Sequence, residues 1–232
     1  MSNWRASRLE LVEFLLEINA KAQAQSELIA LAANLGDDSG EQAHVGDLFA
    51  RAQDYEHALA EYVLSLKSDH DNQAALAGAG RAAFQLGRYS LAYRYLEDAV
   101  VADPADIESA ARLKTAELVM QMDPFQRQLS VAHRDRVVMA AFAAAGERIH
   151  SCSPVRDGAG SCPRRIRPGV LLTVGKTMRP QVTLAGLRRD PDLVESAMQL
   201  VFDIERQTNA TCGHPNETDS ALLLISRLHE GN

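Results

Sequence analysis

The sequence predicts an all-α chain, a helix-turn-helix repeat solenoid with capping helices on both flanks. Composition is the first reason: 31 of the 36 alanines precede Gly146, and alanine loses no side-chain entropy when a helix orders. Internal similarity is the second. A shift of 34 places sets Gly46 on Gly80, Leu48 on Ala82, Tyr55 on Tyr89, Ala58 on Ala92, Tyr62 on Leu96 and Asp69 on Asp103. A fixed period of this length marks stacked supersecondary units. Punctuation is the third: Gly87 and Asp103-Pro104 stand where amphipathic stretches stop.

The second copy is the clearer one. Apolar residues recur with helical spacing over residues 73–86 and 89–102, joined at Gly87, which without a Cβ suits the left-handed position that ends a helix. Gly80 and Ala92 leave room for the two helices to approach, and Tyr89 fills the gap at their turn. Pro104 cannot donate to a continuing ladder and restricts Asp103 before it, so the unit ends there. Residues 39–72 repeat the pattern in the same register. A further first helix follows at residues 106–121, after which Asp123-Pro124 arrives too early for a third complete copy.

Residues 73–106, with Gly80, Gly87, Tyr89, Ala92, Ala99 and Pro104, resemble the tetratricopeptide repeat family. Residues 39–72 match through Gly46, Tyr55 and Ala58, but carry Gln53, Ser65 and His70 where the family has Gly, Ala and Pro. The resemblance covers about residues 39–121. It implies a concave groove, lined by first helices, that takes a peptide or a partner's helix. The groove positions would be His44, Asp47 and Arg51, then Arg81, Phe84 and Gln85, then Glu108, Arg112, Thr115 and Leu118. Members that clamp a peptide's terminal carboxylate use Lys and Asn at positions where this chain has Ala43, Asp47 and Gly78, although Arg112 fits that scheme. The partner implied is an acidic or amphipathic segment, with arginines pairing carboxylates and Phe84 as an apolar anchor.

The flanks are expected to cap the stack, whose ends would otherwise expose apolar surface. Upstream, Leu9, Val12, Leu15, Leu16 and Ile18 form a stripe that Leu28, Leu31 and Leu35 continue, as one long helix or a pair broken near residues 20–24. Downstream, residues 124–148 read as a long helix with Val131, Val138, Phe142 and Ile149 as core members. This predicts a repeat domain over residues 1–149, a Gly/Pro/Cys linker over 150–168, and a helical cap over 169–232. Within the cap, the apolar run of residues 169–174 is read as helix, because a lone strand has no partner for its backbone. Asp192 and Glu195 stand at capping-box spacing before an apolar face of Leu193, Ala197, Leu200, Val201 and Ile204. A last helix is expected over residues 218–229. These later helices, bearing Leu200, Val201 and Leu222, are expected to cover the end of the stack in one cooperative unit.

The net charge is −7, which argues against nucleic acid, whose affinity rests on Lys and Arg neutralising phosphates. Against that background residues 158–189 hold seven basic side chains and no acidic one. Two readings stand: the stretch lies against acidic helices of its own chain, or it forms an anion or acidic-partner site. No apolar run reaches a membrane span, and the start of the sequence lacks the features of a secretory signal, so a cytoplasmic protein without membrane attachment is expected.

An alternative function centres on residues 150–214, as a metal-dependent protein or an enzyme. Cys152, Cys162, Cys212 and His214 match the ligand count of structural zinc, but C-x9-C and C-G-H lack the usual knuckle spacing. A Cys152–Cys162 disulfide is a second possibility, with free thiols as the default. The histidines show no i, i+4 metal pair, no G-x-S-x-G nucleophile motif occurs, and residues 169–177 miss the phosphate-loop spacing by one residue. The expectation is therefore a binding scaffold without catalytic residues, metal or cofactor.

Overall fold

The structure is a computed structural model and describes residues 2–152, 168–210, 212 and 214–230. Most of the predicted linker lies outside them, including Cys162, Arg164, Arg165 and Arg167. Among the described residues all regular structure is helical, in twelve helices that pack mainly in adjacent pairs. No helix among these residues is long and apolar enough to cross a membrane. The chain divides into two compact units, Met1–Glu117 and Leu118–Asn232.

The first unit opens with α1 (Ser2–Glu17) packed on α2 (Lys21–Ala32). Of the two upstream possibilities the broken pair holds, and Asn19 makes the break. Its φ of 59° is left-handed, which asparagine tolerates better than most residues. Val12, Leu28 and Leu31 face inward, while Trp4, Leu11 and Phe14 of α1, with Ile18 just beyond its end, are exposed apolar side chains.

Two helical hairpins follow, α3 (Ser39–Arg51) with α4 (Tyr55–Ser68), and α5 (Gln73–Gln85) with α6 (Tyr89–Ala102). Three of the four helix starts are capped by a side chain, and α6 is the exception. The side chains of Asp38, Asp54 and Asn72 accept from the backbone N–H of Glu41, His57 and Ala75 at 2.8, 3.2 and 3.0 Å, satisfying donors that have no partner within the helix. The turns correspond at the 34-residue offset, because Gln53 has φ 63° and Gly87 has φ 70°. Glycine adopts that conformation freely, whereas Gln53 holds it at a cost of about 1–2 kcal/mol.

Packing within the hairpins keeps the same offset. A Cβ added to Gly46 would stand 2.8 Å from the Tyr62 ring, and one added to Gly80 would stand 2.6 Å from Leu96. Both glycines therefore set helix approach rather than flexibility. Ser65, where the resembled family has Ala, closes a polar link. Its hydroxyl donates to the Ser39 carbonyl at 2.8 Å, and Asn72 Nδ2 donates to the Ser39 hydroxyl at 2.8 Å, tying α3, α4 and α5. The core around this link contains Leu48, Phe49, Ala79, Ala83 and Leu96. Last comes α7 (Ile107–Met122), which Asp106 opens by accepting from Glu108 and Ser109.

The second unit is built on α8 (Val131–Ser151), which packs against α9 (Pro168–Met178), α10 (Leu184–Arg189), α11 (Asp192–Asn209) and α12 (Glu217–Leu228). Residues 169–174 are helical as expected. The start of α8 is not at Pro124: Ser130 caps it by accepting from His133 N–H at 3.3 Å, and Val131, expected in the core, is exposed. Val138 and Ile149 are buried as expected. The expected Asp192–Glu195 capping box does not form, since Asp190 accepts from Asp192 N–H at 3.1 Å. A capping box does open α12, where Asn216 and Asp219 exchange bonds with each other's backbone N–H. Leu193, Leu200, Val201 and Leu222 are buried, with α11 packed on α8 and α12.

Candidate protein-binding surface

The residues predicted to line a groove sit on three first helices. Asp47 projects from α3 and Arg81 from α5, and their side chains meet at 3.1 Å, both about 40% exposed. On α7, Arg112 donates to Glu108 at 2.6 Å. Arg81 also lies within electrostatic reach of Glu108. Carboxylate and guanidinium thus alternate from Asp47 through Arg81 and Glu108 to Arg112. Pairing with Arg112, reinforced more weakly by Arg81, holds the Glu108 carboxyl below its usual range.

Tyr62 enters this surface from the second helix of its hairpin. Its ring lies against Gly46 on α3 and Gly78 on α5, at both of which a Cβ would overlap it. Passing between them, it delivers its hydroxyl to Asp47 Oδ1 at 2.6 Å, with Arg81 Nη2 3.5 Å away. Burial raises the Tyr62 pKa, and the hydrogen bond to Asp47 adds to the shift. The phenol therefore stays protonated and donates. Sequence reasoning missed Tyr62, because the 34-residue offset aligns it with the core residue Leu96.

The remaining predicted residues divide. His44, Arg51 and Gln85 are exposed beside the alternating charges. Phe84 is half-buried; it packs against the core of the first unit and meets Tyr89 edge-on with ring centroids 5.2 Å apart. Thr115 turns its hydroxyl back to the Ala111 carbonyl at 2.9 Å. Leu118 begins the second unit. Ala43 and Gly78, which stand at clamp positions of the resembled family, are buried.

The cysteines correct an expectation. Cys152 and Cys212 are not free thiols: they are joined in a disulfide with Cα atoms 5.3 Å apart. Cys162, proposed as the partner of Cys152 and as a zinc ligand, lies outside the described residues. Among the described residues no group of three or more His, Cys, Asp and Glu side chains is placed to hold a metal.

Two arginines approach one buried acid of the second unit, and a single arginine serves two others. Arg188, from the basic stretch, approaches the fully buried Asp135 at 3.6 Å, and Arg134 approaches it at 3.5 Å. Elsewhere Arg148 pairs with buried Asp219 at 3.4 Å beside Glu205, which has no solvent exposure. One arginine thus faces two carboxyls. Burial, with the Asp219 charge adding and Arg148 opposing, pushes the Glu205 carboxyl up to about 8.

No protein-family model, curated protein or solved structure matches the chain.

Proposed function

We propose that the chain is a protein-interaction module of the tetratricopeptide-repeat type, binding a peptide or a helical segment of another protein across α3, α5 and α7. The recurrence of one close-packed pair after 34 residues, Gly46 with Tyr62 and Gly80 with Leu96, carries the reading. Hairpins built on the same contact can stack in one direction, and stacking turns their first helices into a shared surface. That surface alternates in sign through Asp47, Arg81, Glu108 and Arg112. It favours an amphipathic partner with charges of both signs, and exposed Arg51 adds a site for a carboxylate. The terminal-carboxylate clamp is not part of the proposal, since Ala43 and Gly78 offer no polar side chain.

Selection from a displayed random-peptide library on the full chain tests this. Selected peptides should lose about tenfold in affinity to a folded Arg81→Gln, Arg112→Gln double variant, the scale of one charge-assisted hydrogen bond. Unchanged affinity would move the site away from these helices.

A further inference from the structure

The second unit contains a cavity of about 510 Å³, within the roughly 300–1,000 Å³ range of small-molecule sites. Met139, Phe142 and Ile149 of α8, with Val182 and Ile204, give it apolar walls. Its exposed polar lining residues among those described are Glu147 and His150 on α8, with Lys176 and Arg179 on the α9 side.

Two glycines identify this space as more than imperfect packing. Gly146 lies inside α8 and Gly175 inside α9, both line the cavity, and a Cβ added to either would meet nothing within 4 Å among the described residues. Gly46, Gly78 and Gly80 are different, each being required by a neighbouring side chain. A helix-interior glycine costs about 1 kcal/mol relative to alanine. At Gly146 and Gly175 no close approach offsets that cost, and the effect of both glycines is to widen the same cavity.

The charges specify what enters. Lys176 stands in the last turn of α9 and Arg179 directly follows that helix, its N–H donating to the Gly175 carbonyl at 3.0 Å, and among the described residues neither forms an ion pair with a carboxylate. Arg188, from the same basic stretch, is already committed to Asp135. On the opposite side, His150 Nδ1 donates to the Gly146 carbonyl at 2.9 Å. Among the described residues Glu147 is the one acidic side chain in the lining, against the two cations Lys176 and Arg179. An apolar chamber with net positive charge at its opening matches a small amphiphile with an anionic head. We infer that this cavity binds a medium-chain carboxylate, its tail among Phe142, Ile149 and Ile204 and its head between Lys176 and Arg179.

Calorimetric titration of the full chain with decanoate, decanol and decyltrimethylammonium, all below their aggregation thresholds, tests the inference. Decanoate should saturate one site and bind about tenfold more tightly than decanol, the scale of one charge-assisted contact. The cationic analogue should be weakest. Gly146→Leu and Gly175→Leu should each abolish decanoate binding without lowering the melting temperature, because the added side chains occupy empty space and favour the helix. Lys176→Gln with Arg179→Gln should bring decanoate and decanol to within about threefold. Binding that survives both leucine variants would overturn the site, and equal affinity for decanoate and decanol in the parent would overturn the ligand class. If one leucine variant unfolds, the other decides the site, while the glutamine pair tests the head group independently.

Discussion

The hydroxyl of Tyr62 on α4 donates to the carboxylate of Asp47 on α3 at 2.6 Å, after the ring has crossed between Gly46 and Gly78. A second-helix side chain thus supports a first-helix acid, and Arg81 of the next hairpin shares that acid at 3.1 Å. Tyr62→Phe keeps the ring and removes the support. It should lower unfolding free energy by about 1 kcal/mol, a hydrogen bond to a partly solvated charge, as read by urea denaturation. It should also loosen Arg81, visible as a sharper guanidinium signal in NMR.

Gly80→Leu should destabilise the protein by roughly 2–4 kcal/mol, because the new side chain must displace Leu96 from a helix crossing. Replacing exposed Gln53 with Leu should be nearly neutral. Chemical denaturation of both variants checks the pair, and equal losses would contradict the 34-residue register.

Gln53→Gly should raise stability. Position 53 is left-handed with φ 63°, matching Gly87 at φ 70°, so relief of a Cβ clash should contribute about 1 kcal/mol after the entropy of the unfolded chain is subtracted. Gly87→Gln should cost a similar amount. A melting temperature that falls for Gln53→Gly would refute the strain.

Glu205 predicts a pH dependence. Its folded pKa of about 8 lies above the ordinary 4.5, so the folded state holds a proton that the unfolded state releases. The resulting stability is full below pH 4.5 and is lost as pH rises toward 8. Glu205→Gln should flatten that decline and melt higher than the parent at pH 8. The comparison to make is the difference in melting temperature between the two proteins at pH 5 and at pH 8.

Local signals account for what was legible in the sequence. Helices α5 and α6 were read to within one residue because Gly87 and Asp103-Pro104 act on their own neighbourhoods. Pro124 misplaced the start of α8, since a proline permits a helix start without requiring one, and Ser130 supplies the actual cap. The six-residue α10 escaped notice because so short an element shows no periodicity. Pairing of Cys152 with Cys212 was invisible for a different reason: no spacing rule chooses a partner 60 residues away. At the candidate surface the charged residues could be placed from the repeat register. The role of Tyr62 could not, because it depends on two glycines from different hairpins opening onto one ring.

The Cys152–Cys212 bond turns residues 152–212 into a covalent ring that contains α9, α10 and α11 whole. Closing a loop of this size removes about 4 kcal/mol of chain entropy from the unfolded state. Its topological effect is separate from its energy. A protease cut anywhere inside the ring leaves the peptide backbone broken but the molecule undivided, so the nicked chain should migrate as one species until a reductant releases two. Segments that flank residues 153–167 can therefore be severed from one another in sequence and still remain joined through sulfur.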